Sequence, residues 1–314
     1  DAISSRIDVM EINKLKNLLD EFGDNIKFEY DLKKKNWFNI GGKSKVFFKA
    51  KNLKELVNFL KKLNSLEDKE KIFVLGAGSN TLVSDNLFDG VVIKLSHDFN
   101  NISLLGEDII IAGSSVLDKT LSDFAIEHNL SGFEFLSCIP GTIGGGIKMN
   151  AGCFGKEFKD ILLSIQAIDY TGNVVTIPSK EIKFDYRKNN LSNDFIFLSA
   201  SFKGVKSKAK IIKSEVERLK TEKEKNQPTK IKTSGSTFKN PILQTKKKVW
   251  ELIKESVSLD TSFGDAYISK KHCNFFVNNG NATFEDMVKL INFVSKKVLE
   301  KTGISLEKEI KILE

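Results

Sequence analysis

Residues 131–155 read SGFEFLSCIPGTIGGGIKMNAGCFG. Seven glycines and a proline stand among Phe133, Phe135, Leu136, Ile139, Ile143, Ile147 and Met149. A linker this rich in glycine is normally polar and flexible. This stretch is apolar and asks for burial, and buried main chain with few side chains leaves room for another body. Glycine has no Cβ and reaches positive φ, so a ligand can lie against the backbone. Exposed N–H groups on such a loop suit a phosphate. The alternative is a glycine-rich turn between two core strands.

A second glycine cluster shifts that balance. Residues 71–80 read KIFVLGAGSN, a short apolar run of the kind that forms a strand buried on both faces. It ends in Gly76, Ala77, Gly78, Ser79 and Asn80. The third glycine of the dinucleotide fingerprint is missing, and no Gly-Lys-Ser/Thr follows as in a P-loop. The turn still offers backbone donors, the Ser79 hydroxyl and the Asn80 amide. Two such loops about 60 residues apart suggest two walls of one site for a diphosphate-bearing cofactor.

The 314 residues allow two or three compact units. No run of 18 apolar residues exists, so no transmembrane helix is expected, and no secretion signal is visible. Residues 1–10 carry no structural expectation. The net charge of +8 comes from 49 Lys and Arg against 41 Asp and Glu, and arginine is scarce. The lysines are scattered, with runs only at Lys33–Lys35 and 246–248, which argues against a nucleic-acid footprint. They read as solvated faces that favour anionic substrates. Cys138, Cys153 and Cys273 form no CxxC pair, so neither a disulfide framework nor a zinc site is expected, and a reducing cytosol fits.

Helices are predicted at 11–22, 52–63, 117–128, 209–225, 249–254 and 283–299. Leu53, Leu56, Val57 and Leu60 form the apolar stripe of the second, with a capping-box-like start at Asn52 and Glu55. Phe284, Met287, Val288, Ile291, Val294 and Val298 share one face of the last, capped by Thr283 and Asp286. Strands are predicted at 45–50, 72–75, 91–95, 108–112, 162–169, 174–177, 195–202 and 274–277. In the final segment Ile310 and Ile312 alternate with Glu309 and Lys311. The glycine stretch itself reads as a loop.

Several residues could carry chemistry. Arg187 is a rare arginine in a lysine-rich chain, and its planar fork suits a carboxylate; a surface arginine in a turn is the alternative. Ser236 follows Gly235 in a turn rigidified by Pro241, where ordinary loop chemistry is the alternative. With only His97, His128 and His272 in the chain, no Ser-His-Asp arrangement is legible, so the serine would act as a proton donor. Glu309 and Glu307 share a face of the terminal strand, and spacing does not choose between them. Lys239 and Asn240 could bind a diphosphate. His272 reads as a loop-ordering residue.

The segments LGAGSN, IPGTIGGGIKMNAGCFG, FDYRKN (184–189), SGSTFKNP (234–241), GDAYISKKHCNFFVN (264–278) and LEKEI (306–310) occur in that order. Together they resemble UDP-N-acetylenolpyruvoylglucosamine reductase, the flavoenzyme family of early peptidoglycan (cell wall) synthesis. The resemblance runs from Ile40-Gly41-Gly42 to Ile312. It implies an α+β chain: a two-subdomain FAD-binding fold of the vanillyl-alcohol-oxidase/PCMH type plus a C-terminal α/β substrate-binding domain. The expected bounds are 1–205, split near 95–105, and 206–314, with the C-terminal strand returning to the cleft.

In that family NADPH gives hydride to non-covalent FAD, which passes it to the enolpyruvyl ether of UDP-N-acetylglucosamine. The resemblance assigns Arg187 and Glu309 to stabilising the enolate and Ser236 to protonating it. It places Ile40, Gly41, Gly76, Ala77, Gly78, Ser79, Asn80, Ile139, Pro140, Gly141, Thr142, Gly144, Gly145, Ala151 and Gly152 at the cofactor. It puts Tyr186, Lys239 and Asn240 at the substrate. It implies ping-pong turnover by a cytoplasmic monomer with no metal, and the shorter class without an additional tyrosine loop. Lys148 replaces a usual tyrosine, Lys311 a usual arginine, and ESVSLDTSFG a glycine-rich helix end. The rival readings are a hydroxy-acid or alcohol oxidase of the same fold and a non-catalytic nucleotide-binding protein.

Overall fold

The computed structural model describes residues 9–314. It divides into two compact units, each drawn from three segments. Among the described residues the first comprises 9–28, 46–77 and 89–223, and the second 29–45, 78–88 and 224–314. Two short segments from the N-terminal third, 29–45 and 78–88, pack with the C-terminal residues.

The first unit has two sheets. Within this unit one runs in the order 26–28, 46–50, 89–95, 71–74, the last two parallel. Helices α1 (Val9–Leu18) and α2 (Leu53–Asn64) cover it. Leu15, Leu19, Phe22, Leu56, Phe59 and Leu60 meet Val46, Phe48, Val91 and Ile93 in one core. There Phe48 stacks on Phe59 with centroids 3.9 Å apart, and Phe22 stands edge-on to both. The Asn52 side chain caps α2 by accepting from Glu55 N at 2.8 Å. The reciprocal half of a capping box is not made; the Glu55 carboxylate takes the Asn25 amide instead (2.8 Å).

The second sheet is antiparallel throughout, in the order 174–178, 162–169, 195–203, 109–113, 102–105. Its core joins Ile110, Ile165, Phe202 and Phe158 to residues of α3 (Asp118–Glu127) and α4 (Ile143–Lys148). Helix α4 lies inside the glycine stretch, where a loop is predicted. Thr142 accepts from Gly145 N and starts it. Helix α5 (Ala209–Asn226) buries Ile212, Val216 and Leu219.

The second unit is built on a three-stranded antiparallel sheet, Ser262–Phe263, Ala266–Ile268 and Phe276–Asn278, with α6 (Val249–Ser256) and α7 (Phe284–Thr302). The predicted strand at 274–277 shifts to 276–278, because Asn274 spends its side chain on the neighbouring segment: its amide donates to Phe238 O and its Oδ1 accepts from Phe238 N. Thr283 and Asp286 exchange cap hydrogen bonds of 3.0 Å at the start of α7. Gly303, at φ 74°, ends it as a left-handed cap. The C-terminal strand Lys311–Leu313 pairs in parallel with Thr81–Val83. Among the described residues no helix is long and apolar enough to cross a membrane.

Candidate active site

Within the first unit the two glycine stretches touch. A Cβ built on Gly76 would lie 2.8 Å from Thr142 Oγ1. The strand before Gly76 is held by Leu75 N donating to Ile93 O, and Lys94 Nζ donates to Gly76 O. Residues 114–118 run beside 141–144: Asp118 N donates to Gly141 O, Ile143 N to Val116 O, and Gly144 N to Ser114 O, at 2.8–3.0 Å. No hydrogen bond from the N–H of Gly76, Ala77, Gly141 or Thr142 to another described residue is present. These four donors sit on adjoining segments, and such a nest suits an anionic diphosphate.

Not every glycine serves an approaching ligand. Gly144 needs its missing Cβ against Ser114 Cβ (3.1 Å), and Gly146 needs it against the Phe158 ring (2.3 Å). Gly145 is different: it is exposed, and its nearest neighbour is Thr142 Oγ1 at 3.4 Å. Ile139, Pro140 and Gly141 lead into the helix cap, with Gly141 at φ 130°.

After α4 the chain turns back through Asn150, a buried residue at φ 45°. Its amide donates to Glu157 Oε2 and Asp185 O, and its Oδ1 accepts from Lys159 N, each at 3.0 Å. Asn189 donates to the last carbonyls of α4, Ile147 O and Lys148 O. The short hairpin Phe184–Asp185 with Lys188–Asn189 is thereby fastened to the glycine stretch, with Tyr186 and Arg187 at its turn. Arg187 is left-handed (φ 56°). Its Nη2 donates to Gly152 O at 3.1 Å, and its guanidinium covers the Tyr186 ring at 4.8 Å. Gly152 thus adjoins Arg187, with Ala151 just before it in the chain. Asn150, Glu157 and Asn189 were missed as site residues; the Met-Asn-Ala-Gly and Arg-Lys-Asn steps were the available signals.

In the second unit, Gly78 packs so closely that a Cβ would sit 2.2 Å from Lys35 O, and Trp37 N donates to Gly78 O. Ile40 is buried, and its carbonyl accepts from the Asn36 amide (2.8 Å). Gly41, at φ 128°, lies against Val83. Ser79 follows Gly78, and Asn80 ties this turn to the C-terminal strand. Its amide donates to Glu309 O (3.2 Å), and its carbonyl accepts from Lys311 N (2.8 Å).

The Ser236 segment lies on the same framework. Ser236 bridges Phe275, Thr237 N donates to Asn274 O, and Glu309 N donates to Thr237 O at 2.8 Å. Ser236 and Glu309 therefore stand on neighbouring hydrogen-bonded segments, both half-buried. Glu307 is distinguished from Glu309 by its exposed carboxylate, paired with Lys239 Nζ at 3.0 Å. Asn240 Oδ1 accepts from Val249 N at the start of α6. His272 takes the Asn274 N–H on Nδ1 and tilts against Phe275, so it orders its loop. Burial lowers its pKa.

The three thiols form no disulfide, and Cys273 Sγ donates to Trp250 O at 3.0 Å. Cys138 and Cys273 are buried, and the Cys153 thiol is pushed up to about 11, chiefly by burial.

Residues 44–178 match the FAD-binding-domain family, and residues 227–313 match the C-terminal domain of UDP-N-acetylenolpyruvoylglucosamine reductase. The reductase of Pelagibacter ubique is 64% identical over 304 residues, covering 97% of this chain and all of that protein. The chain belongs to the UDP-N-acetylenolpyruvoylglucosamine reductase family. The Rickettsia typhi reductase is 45% identical over 285 residues, 91% of this chain and 94% of that one. The crystal structure of the Thermus caldophilus reductase superposes with a TM-score of 0.78 at 29% identity, covering 92% of this chain and 100% of that one. As a reductase of this family, the chain is a flavoprotein oxidoreductase of mixed α+β fold that uses FAD and NADPH. The four N–H groups at Gly76, Ala77, Gly141 and Thr142 fit that cofactor's diphosphate.

Proposed function

We propose that this reductase converts UDP-N-acetylenolpyruvoylglucosamine to UDP-N-acetylmuramate through Arg187, Ser236 and Glu309. FAD is held by Ile40, Gly41, the 76–80 turn, residues 139–142, Gly144, Gly145, Ala151 and Gly152. FAD bound there would supply hydride-transfer chemistry between NADPH and the vinyl carbon of the enolpyruvyl ether. Carbon–hydrogen bond formation there leaves an electron pair on the α-carbon, spread over the carboxylate as an enolate. Arg187 offers a fixed cation to that charge, and Glu309 in its protonated form offers a hydrogen bond. Ser236 gives its hydroxyl proton to the α-carbon and recovers one from solvent. NADPH, a proton and substrate thus become NADP⁺ and the lactyl ether.

Tyr186, Lys239 and Asn240 contact the substrate in this reading. Lys239 carries charge toward the diphosphate with Glu307 as its resting partner. NADPH and substrate take turns in one cleft. The reading includes a cytoplasmic monomer and the class without the additional tyrosine loop.

The observation that supports it best is the Glu309 N to Thr237 O hydrogen bond. It sets the Ser236 segment beside Glu309 while Glu307 is spent on Lys239. Ser236→Ala tests it: NADPH should still bleach the flavin, while anaerobic reoxidation by UDP-N-acetylenolpyruvoylglucosamine should stall. Unchanged turnover removes Ser236 from the mechanism.

A further inference from the structure

Glu157 faces Gly152 across the two-residue strands Gly152–Cys153 and Lys156–Glu157. Its main chain is fixed by its own N–H donating to Asp160 Oδ2 at 2.8 Å. The carboxylate does two things with one oxygen. Oε2 accepts from the buried Asn150 amide at 3.0 Å and lies 3.9 Å from Arg187 Nη1. The other oxygen, Oε1, lies 3.6 Å from Lys159 Nζ. The glycine at 152 makes the arrangement possible. A Cβ there would meet Glu157 Cγ at 2.7 Å, Arg187 Nη1 at 3.2 Å and Lys156 O at 2.5 Å.

The guanidinium is therefore referenced to the glycine stretch at both terminal nitrogens, Nη2 by Gly152 O and Nη1 by the Glu157 charge. At 3.9 Å the second contact is too long for a hydrogen bond and acts as an oriented ion pair. Both side chains are less than a quarter exposed, where screening by water is reduced. Asn150 locks the carboxylate rotamer, and the left-handed turn fixes the root of Arg187.

We propose that Glu157 is a positioning residue for the reductase reaction, holding the plane and rotation of the Arg187 guanidinium so that its charge meets the developing enolate. This rests on the assignment of Arg187 to the reaction. A carboxylate here has a second consequence. It holds the arginine in place before substrate arrives, so the substrate's own carboxylate is not needed to order it.

The test uses the FAD-loaded full chain as Glu157→Ala, Glu157→Gln, Arg187→Lys and the Glu157→Ala/Arg187→Lys double variant. Stopped-flow absorbance follows flavin bleaching by NADPH and anaerobic reoxidation by substrate separately. Glu157→Ala should slow reoxidation about tenfold and leave bleaching within about twofold, with Glu157→Gln intermediate because it keeps an acceptor for Asn150. The double variant should be no slower than Arg187→Lys by more than about twofold, since the two residues act as one unit. The unfolding midpoint of cofactor-free Glu157→Ala should fall by no more than about 8 °C, as expected for loss of one largely buried ion pair and the hydrogen bond from Asn150.

Reoxidation at the parent rate in Glu157→Ala overturns the proposal. So do losses that multiply in the double variant, or equal slowing of both half-reactions. An Arg187→Lys variant with parent kinetics instead overturns the catalytic assignment on which the proposal stands.

Discussion

Gly145 and Gly146 are neighbours in one helix, and they should respond oppositely to a methyl group. A Cβ at Gly146 lies 2.3 and 2.6 Å from Cε2 and Cζ of Phe158. That ring is fully buried, edge-on to Phe135 and tilted on Phe202 with centroids 6.2 Å away. Reaching ordinary contact requires the ring to move by about 1 Å within a packed core, an overpacking that costs about 1–3 kcal/mol. Alanine in a helix recovers up to about 1 kcal/mol. Gly146→Ala should lose about 1–2 kcal/mol net, lowering the unfolding midpoint of the cofactor-free protein by about 2–8 °C for a unit of this size. Adding Phe158→Leu should restore part of that loss. Gly145→Ala meets nothing nearer than 3.4 Å, so the cofactor-free protein should keep or raise its midpoint. If FAD lies against this face, the same methyl should weaken FAD binding at least about tenfold, or about 1.4 kcal/mol. Calorimetry of the cofactor-free proteins and fluorescence titration with FAD measure both quantities. Parent-like FAD affinity in Gly145→Ala would refute the cofactor's approach there. An unshifted midpoint in Gly146→Ala would refute the placement of Phe158.

Other expectations follow from the same contacts. Asp118 is buried, neither of its carboxylate oxygens has a hydrogen-bond partner among the described residues, and burial holds its pKa well above the usual carboxylate value. A raised folded pKa means its contribution is fullest below the unfolded value near 4 and is lost as pH rises toward the folded one. Asp118→Asn should therefore gain on the parent as pH climbs from 4 to 8 in urea unfolding; a constant offset between the two proteins would contradict this. Thr283→Ala removes the cap of α7 and should cost about 1 kcal/mol in the same assay; no change would mean the cap contributes nothing. Glu309→Ala should leave flavin bleaching by NADPH intact and slow reoxidation by substrate; parent-rate reoxidation would remove Glu309 from the reaction.

The amphipathic helices and apolar strands were legible because burial imposes a period on the chain. The 162–169 strand has the bounds its apolar run suggests, and α7 begins at its Thr-Asp cap. The helix within the glycine stretch was not legible. Glycine propensity argues against it, and it forms because Thr142 caps it and 114–118 pairs with its approach. The make-up of the units was also hidden. Nothing local in residues 29–45 or 78–88 announces that they pack with the C-terminal third. Motifs marked the proposed site residues Arg187, Ser236 and Glu309. The supports Asn150, Glu157 and Asn189 act through backbone carbonyls and one shared carboxylate, contacts that only folded geometry assembles.

The parallel pairing of 311–313 with 81–83 has a temporal side. A ribosome makes residues 78–88 long before the strand that completes them exists. The first unit's segments end at Lys223, so that body can close during translation. The second waits, with Gly41, Gly78 and Asn80 already made but their last neighbour still unmade. Nascent chains of this reductase should therefore pass through a half-finished stage in which one body is protease-resistant and the other is not.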